Sequence, residues 1–256
     1  MAARLRSSEM TKYRLDQLLL ERGLAESRAK AQALILAGRV FSGAKRLDKP
    51  GQGVAGDIEL SVRAPGAAYV SRGGIKLAHG LDHFGIDPAG VVALDIGAST
   101  GGFTDVLLRR GAARVYAVDV GHGQLDWRLR NDPRVVALER TNVRHLSREQ
   151  VPEPADLVVC DVSFISLELA LPAALALARD DATLVALIKP QFEVGKGQVG
   201  KGGVVRDPAL HEQVCARIAR WLEDVQGWRV LGVTESPITG PKGNREFLIA
   251  ARGADR

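Results

Sequence analysis

Residues 94–103, LDIGASTGGF, form a glycine-rich segment directly after an apolar run, and they have the clearest chemical meaning in the sequence. Glycines allow the backbone to pass close to a ligand, and the helix that follows such a segment presents free N–H groups. This arrangement is typical of nucleotide-containing cofactor sites. A dinucleotide site needs G-x-G-x-x-G, but Ser99 stands at the second glycine position, so the segment disfavours NAD.

The spacing instead matches D-x-G-x-x-x-G-G, a pattern of class I S-adenosylmethionine (SAM) methyltransferases. SAM carries a sulfonium cation and no phosphate, so the acid Asp95 at the end of a strand is favourable. Asp119 ends the next strand, where an acid accepts the ribose hydroxyls of an adenosine cofactor, although it would serve NAD equally well. Asn142, after the third strand, is either an adenine contact or a turn residue. The predicted cofactor residues are Asp95, Gly97, Ser99, Thr100, Gly101, Gly102, Phe103, Asp119 and Asn142.

Two further residues close predicted core strands with chemically useful side chains. Asp161 ends a strand and is followed by Val162-Ser163-Phe164, without the prolines that enzymes methylating amino groups commonly carry there. Lys189 ends the next strand, where desolvation favours the neutral amine that a proton acceptor requires. The alternative for Lys189 is a surface lysine whose stem packs on the protein while its charge stays in water.

A second glycine-rich segment, residues 195–202, matches the phosphate-loop pattern G-x-x-x-x-G-K. Gly202 follows, where Ser or Thr would hold Mg²⁺, so a phosphate-binding loop is disfavoured. We predict instead a mobile basic loop at the rim of the active site, with Lys196 and Lys201 contacting RNA.

Alternating strand and helix patterns must position these residues. Apolar strands that alternate with helices predict a parallel sheet covered on both faces, an α/β Rossmann-like fold with seven strands. Predicted strands are 91–95, 114–119, 134–138, 156–161, 183–189, 228–235 and 246–250; predicted helices are 75–84, 103–110, 167–178 and 210–225.

The net charge of +5 lies entirely near the N-terminus. Residues 1–64 hold 12 Lys and Arg against 7 Asp and Glu, whereas residues 65–256 hold 23 of each. Two helical patterns, at 15–20 and from Ser27 to Gly38, precede strands at 39–41 and 57–62. We predict a small α+β module that neutralises RNA phosphates, the alternative being a charged cap on an enzyme. Its predicted RNA contacts are Arg14, Arg22, Arg28, Lys30, Arg39, Lys45 and Arg46.

Composition excludes several classes of protein. Apolar residues make up 46% and charged residues 25% of the chain, as in a folded globular protein. The longest apolar run, about ten residues at 169–178, is far shorter than the ~20 of a membrane helix, and the N-terminus lacks a signal peptide's apolar segment. Two cysteines, Cys160 and Cys215, form neither a disulfide framework nor a metal-ligand pattern. We therefore expect a cytoplasmic protein without a metal.

The chain as a whole resembles the TlyA, or haemolysin A, family, in which an alpha-L RNA-binding module precedes an FtsJ-like 2′-O-methyltransferase domain. The small, uncharged stretch from Ala64 to Ala68, with Pro65 and Gly66, predicts a linker, which we place at 64–70 after a tail at 1–12. The resemblance implies the RNA-binding domain at 13–63 and the methyltransferase domain at 71–252. It also implies a Lys-Asp-Lys-Glu tetrad at Lys76, Asp161, Lys189 and Glu246. The matching segments are 14–16 (RLD), 71–77 (SRGGIKL), 94–103, 117–121 (AVDVG), 160–166 (CDVSFIS), 188–193 (IKPQFE) and 243–247 (GNREF).

The activity that the resemblance implies is SAM-dependent methylation of ribose, with cytidine the expected nucleoside, in ribosomal RNA. Lys189 would accept the 2′-OH proton, Asp161 and Lys76 would position the hydroxyl, and Glu246 would orient Lys76 or the ribose. The expected partner is ribosomal RNA or a ribosomal subunit, with no membrane and no obligate protein partner. The alternatives are a pore-forming haemolysin, an RNA-binding ribosome-assembly factor without catalysis, and a SAM enzyme for small molecules, which would leave the basic module unused.

Overall fold

A computed structural model describes residues 12–36, 38–43, 45–62, 69–200 and 202–253. The chain divides into two compact units, Met1–Ala67 and Ala68–Arg256. Each unit has its own hydrophobic core, and each is described by itself below.

The N-terminal unit packs two helices against short antiparallel strands. Leu15 and Leu19 of the first helix and Ala31 and Ile35 of the second are fully buried and form the centre of its core. β1 pairs with β4, and β2 lies between β3 and β5. Its elements are β1 (Lys12–Arg14), α1 (Leu15–Glu21), α2 (Arg28–Leu36), β2 (Val40–Ser42), β3 (Lys45–Arg46), β4 (Gly53–Ala55) and β5 (Ser61–Val62).

Two features of this unit differ from the sequence-based expectation. The strand predicted at 57–62 is present only as β5, because the chain turns at residues 56–57 and runs without strand pairing to residue 60. The β1–β4 pair was not predicted, since three-residue strands carry too little periodic pattern to be recognised in the sequence.

The C-terminal unit is built on a seven-stranded sheet flanked by helices. The helices are α3 (Gly73–Phe84), α4 (Gly102–Arg109), α5 (Trp127–Arg130), α6 (Leu167–Leu175), α7 (Pro190–Glu193) and α8 (Pro208–Asp224). The strands are β6 (Val92–Ile96), β7 (Arg114–Val118), β8 (Val135–Leu138), β9 (Ala155–Cys160), β10 (Ala178–Ile188), β11 (Trp228–Glu235) and β12 (Phe247–Gly253). Short 3₁₀ helices lie at Val143–His145, Lys196–Gln198 and Pro241–Gly243.

The order of the strands is β11-β12-β10-β9-β6-β7-β8. The five strands from β10 to β8 are parallel, and β12 runs antiparallel to both of its neighbours. The predicted α/β Rossmann-like fold with a mostly parallel seven-stranded sheet is confirmed. α6 ends at Leu175, three residues before the predicted end, because the chain from Ala178 already pairs with β9 as the start of β10.

Apolar layers cover both faces of this sheet. On one face Leu94 and Ile96 pack in the cluster that includes α6 and α8, and on the other Ala93 packs with Leu77 and Leu81 of α3. Because side chains of a strand point alternately to opposite faces, continuous apolar strands supply both layers. The carboxyl ends of β6, β7, β9 and β10 consequently meet at one edge of the sheet, where the predicted site residues lie.

Candidate active site

Four charged side chains of the C-terminal unit form two ion pairs at this edge. Lys76 Nζ in α3 lies 2.5 Å from Glu246 Oε2, although 170 residues separate them. Lys189 Nζ, directly after β10, lies 2.6 Å from Asp161 Oδ1, directly after β9. The register that pairs Ile188 of β10 with Phe247 of β12 sets Glu246 beside the end of β10. Strand order and the packing of α3 against the sheet thus bring together the four predicted tetrad residues.

The two pairs are largely removed from water. The side chains of Lys76 and Lys189 are each 9% exposed, that of Asp161 is 19% exposed, and that of Glu246 is fully buried. An unpaired charge in such surroundings would be strongly unfavourable, so each buried ammonium group requires the carboxylate beside it.

Two further residues contact these ion pairs, and the sequence did not indicate that either belongs to the site. Lys189 Nζ donates a hydrogen bond to Ser163 Oγ at 2.9 Å, whereas its contact with Asp161 Oδ1 is an ion pair without hydrogen-bond angles. Gly240 packs against Glu246, since a Cβ atom there would lie 2.0 Å from Glu246 Oε1. Neither a serine nor a glycine in a loop carries a signal in the sequence that would reveal these contacts.

A cavity of about 540 Å³ lies above the ion pairs. Lys76, Asp161 and Lys189 line it, together with Ser163 and Gly240, while Glu246 lies beneath its surface. A ligand in this cavity would therefore contact ammonium and carboxylate groups. Residues of the glycine-rich loop after β6 line the same cavity.

A second cavity of about 520 Å³ adjoins the first, and Gly97, Ser99, Asp161 and Ser163 line both. Asp119 Oδ2 accepts the Ser99 N–H at 2.8 Å, and Oδ1 accepts the Gly121 N–H at 2.7 Å, which holds the carboxylate at the cavity wall. Adenosine with a ribose diol and an attached methionyl group fits such a pair of connected cavities, since acceptor groups line one end and ion pairs the other.

Asn142 lines the second cavity. Its Oδ1 accepts the Arg144 N–H at 3.1 Å and caps the short helix Val143–His145. The cap satisfies a helix N–H group, as expected of a turn residue, and a contact of Asn142 with adenine stays a prediction.

Seven of the nine predicted cofactor residues line one of the two cavities, and Asp95 and Gly101 do not. Asp95 is fully buried below the loop, where Thr104 Oγ1 donates to its Oδ2 at 2.6 Å. Burial, partly offset by the hydrogen bond from Thr104, raises the pKa of Asp95 to about 7. Asp95 therefore lies beneath the cavity linings, and its place in the cofactor site stays a prediction.

The glycines of the loop are required by packing within the protein. A Cβ at Gly97, which has a φ of +81°, would lie 2.8 Å from the Asp161 carbonyl oxygen, and one at Gly102 would lie 2.2 Å from Ser71 Oγ. The loop therefore approaches the end of β9 and the start of α3 as closely as its backbone permits. This closeness brings Gly97 and Asp161 to the same cavity wall.

The predicted RNA contacts of the N-terminal unit are mostly engaged in hydrogen bonds or ion pairs within it. Arg22 donates to the carbonyl oxygens of Gly56 and Ile58. The other pairs are Lys30 with Glu26 at 3.3 Å, Arg46 with Asp48 at 3.5 Å, and Arg14 and Arg28, both with Asp16. Arg39 is half-buried and Lys45 exposed, whereas the side chain of Lys196 and all of Lys201 lie outside the described residues.

The described residues hold neither a metal cluster nor a membrane-spanning helix. No group of three or more His, Cys, Asp or Glu side chains among them has the arrangement of a metal site. None of the described helices has the length and apolar character needed to cross a membrane.

The sheet order, with its reversed strand next to the edge, and the paired cavities at the carboxyl ends of its strands define a SAM-dependent methyltransferase of class I. Comparison with family models gives the same class. The FtsJ-like methyltransferase model matches residues 69–253, and the S4 domain model matches residues 14–57.

Individual relatives indicate which group within this family the chain is similar to in sequence and length. The 16S/23S rRNA (cytidine-2′-O)-methyltransferase TlyA of Mycobacterium tuberculosis is 52% identical over 240 residues, 93% of this chain and 89% of that protein. Hemolysin A of Brachyspira hyodysenteriae is 42% identical over 236 residues, covering 92% and 98%. A solved structure of a hemolysin-named protein from Streptococcus thermophilus has a TM-score of 0.73 at 42% identity, covering 96% and 90%. The chain belongs to the FtsJ-like methyltransferase family, in the group that contains TlyA and Hemolysin A, and the resemblance seen in the sequence is confirmed.

Proposed function

We propose that this protein methylates the 2′-hydroxyl of a cytidine in ribosomal RNA, with SAM as the methyl donor. The observation that carries the proposal is the placement of two lysine–carboxylate pairs at the floor of one cavity, beside a second cavity suited to adenosine. The relationship to TlyA, a protein named for this reaction, supports the same substrate.

Lys189 is the proposed proton acceptor. A ribose 2′-hydroxyl is a weak acid and a poor nucleophile until its proton is removed. Lys189 accepts a proton only as the neutral amine, so the ammonium ion of the Lys189–Asp161 pair first gives one proton to water. As the 2′-OH proton then reaches Nζ, the carboxylate of Asp161 at 2.6 Å stabilises the ammonium ion that forms again, and Ser163 Oγ at 2.9 Å accepts one of its N–H groups. Both partners are in place before the reaction, so no reorganisation is needed to stabilise the charge.

Lys76 is the proposed stabiliser of the oxygen that loses the proton. Its ammonium group lines the cavity, and Glu246 below the surface holds it from behind at 2.5 Å. A cation so held can stabilise the developing negative charge on the ribose oxygen. Glu246 acts in this scheme through Lys76 and is a positioning residue.

When bound, SAM supplies a methyl group already activated by the adjoining sulfonium. Asp119 is proposed to accept the ribose hydroxyls of SAM and Asn142 to contact its adenine, while Gly97, Ser99, Thr100, Gly102 and Phe103 form the loop against which it lies. Proximity of the methyl group to the substrate oxygen then contributes much of the acceleration.

RNA is favoured over a small-molecule substrate by the N-terminal unit. Residues 14–57 match the S4 domain, and residues 1–64 hold all of the excess positive charge. The proposal includes an RNA-binding domain at 13–63, a linker at 64–70, a methyltransferase domain at 71–252, RNA contacts by Lys196 and Lys201, and a place of action in the cytoplasm, where ribosomal subunits are found.

The proposal is tested by mapping ribose methylation after the purified protein is incubated with SAM and either 30S or 50S subunits that lack the modification. We expect a new 2′-O-methylcytidine in the RNA of at least one subunit, and none with Lys189→Ala. Methylation of a base nitrogen, or no methylation of either subunit, would contradict the proposed function.

A further inference from the structure

Asp16 is a fully buried carboxylate in the most basic part of the chain. It lies in the first turn of α1 and binds side chains from two other elements. Oδ1 accepts Arg14 Nε at 3.1 Å, and Oδ2 accepts Arg14 Nη2 at 3.1 Å, Arg28 Nε at 3.0 Å and Gln32 Nε2 at 2.9 Å. These bonds, those to Arg14 foremost, hold the pKa of Asp16 well below its usual range, so the carboxylate is charged at neutral pH.

The two arginines on Asp16 remain about half in solvent. The side chain of Arg14 is 48% exposed and that of Arg28 is 53% exposed. In the part of the chain that the structure describes, the Asp16 network includes neither Nη1 of Arg14 nor the two Nη atoms of Arg28. Because both guanidinium groups bind Oδ2 of the same carboxylate, they lie next to each other. Each has N–H groups that Asp16 does not bind.

We propose that Asp16 is a positioning residue for RNA binding, holding Arg14 and Arg28 as an adjacent pair that binds one backbone phosphate or two neighbouring ones. The inference rests on the proposed function, because it assumes that the N-terminal unit binds RNA. Guanidinium groups bind phosphate oxygens through paired N–H groups, and fixing their orientation in advance avoids the entropy loss of ordering long side chains on binding.

For the substitution Asp16→Asn, the proposal predicts weaker RNA binding, whereas the change in net charge alone predicts stronger binding. Replacing Asp16 by Asn makes the unit more positive by one charge, which by long-range electrostatics strengthens binding to a polyanion. An amide, however, offers a single acceptor oxygen and places N–H donors against the guanidinium donors. Arg14 and Arg28 then lose their shared anchor, so binding weakens.

The test compares Asp16→Asn with Glu26→Gln in the full-length protein. Glu26 is a matched control because it is an exposed acid of the same unit, 85% exposed and paired with Lys30, and its replacement changes the charge equally. Affinity for 16S and 23S rRNA transcribed in vitro is measured by filter binding at several KCl concentrations. Circular dichroism and thermal melting verify that each variant is folded at the assay temperature.

We expect Asp16→Asn to bind about tenfold more weakly with a smaller salt dependence, because the two arginines no longer meet the phosphates in a fixed orientation. Glu26→Gln is expected to bind as tightly as the unchanged protein or more tightly. If folded Asp16→Asn protein binds as well as Glu26→Gln protein, the proposal is wrong and Asp16 serves stability alone.

A second pair of variants keeps the proposal falsifiable if Asp16→Asn does not fold. Arg14→Lys and Arg28→Lys retain the charge but replace a planar fork by a single ammonium group. Combined, they are expected to weaken rRNA binding about tenfold. Unchanged binding of the double variant would overturn the proposal. Failure of the unchanged protein to bind either rRNA would instead count against the proposed function.

Discussion

The side chain of Lys189 combines the features that a proton acceptor needs in this site. It is 9% exposed, lies at the cavity floor, and has Asp161 and Ser163 within hydrogen-bond distance of Nζ. A lysine that served only to attract RNA would lie in solvent, where its charge acts over a long range. Burial between a carboxylate and a hydroxyl suits local proton transfer instead.

Removing this amine should separate chemistry from cofactor binding. We expect Lys189→Ala to reduce methyl transfer by at least about 1,000-fold, since it removes the proton acceptor and leaves Asp161 without its partner. SAM affinity, measured by calorimetry, should change by less than about threefold, because the proposed adenosine contacts lie in the other cavity.

Lys189→Arg is the informative control for charge. Arginine preserves the positive charge beside Asp161 but does not release its proton under protein conditions. We expect it to be as inactive as the alanine variant. Substantial activity of Lys189→Arg would show that the site needs a cation at this position and not a proton acceptor.

At the scale of elements, the loop before β12 determines where Glu246 lies. Residues 239 and 240 line the cavity, and the backbone of Gly240 contacts the Glu246 carboxylate so closely that no Cβ fits between them. The loop is in turn held by hydrogen bonds from Gly240 N–H to the Asn244 carbonyl and from Ser236 N–H to the Glu246 carbonyl. The Lys76–Glu246 pair therefore depends on the path of this loop.

Gly240→Ala tests that dependence. The added methyl group would displace the Glu246 carboxylate from Lys76, and we expect methyl transfer to fall about 10- to 100-fold with SAM affinity nearly unchanged. In a double-mutant cycle with Glu246→Gln, the two effects should be far from additive, because both act through the same ion pair. Additive losses would indicate that Gly240 acts elsewhere.

At the scale of the whole molecule, charge and chemistry belong to different units. Residues 1–64 hold the entire excess of +5, and residues 65–256 have as many acids as bases. Because sequence-independent RNA binding depends on neutralised phosphates, the N-terminal unit should supply most of the salt-dependent affinity. The C-terminal unit has its own core and contains the proposed cofactor and tetrad residues.

Deletion of residues 1–67 examines this division. We expect the remaining chain, 68–256, to bind SAM within about twofold of the full-length affinity but to bind rRNA much more weakly. The slope of log affinity against log salt should decrease by about 0.7 to 0.9 for each phosphate that the shortened chain no longer neutralises. Equal slopes for the two proteins, both shown to be folded by circular dichroism, would contradict a separate RNA-binding unit.

The sequence by itself determined the order of the seven sheet strands and the four longer helices of the C-terminal unit, the class of fold, and the residues at strand ends. Apolar runs with period two or no polar interruption, separated by helical patterns, are local features, so β6, β7, β9 and β10 were predicted close to their actual carboxyl ends. Asp161 and Lys189 followed from those ends, because a residue directly after a parallel strand lies at the ligand-binding edge. The glycine-rich loop was predicted because it also directly follows a parallel strand, β6.

Only the tertiary structure decided which of these residues meet. Lys76 and Glu246, 170 residues apart, were recognisable in the sequence only through a family resemblance. The β10–β12 register and the packing of α3 against β12 bring them together. The burial of Asp95 beneath its loop, the packing of Gly240 on Glu246 and the clustering of Arg14 and Arg28 on Asp16 likewise depend on contacts between elements. Periodicity and composition report which side of an element is buried, but distances across elements are set by how the whole chain packs.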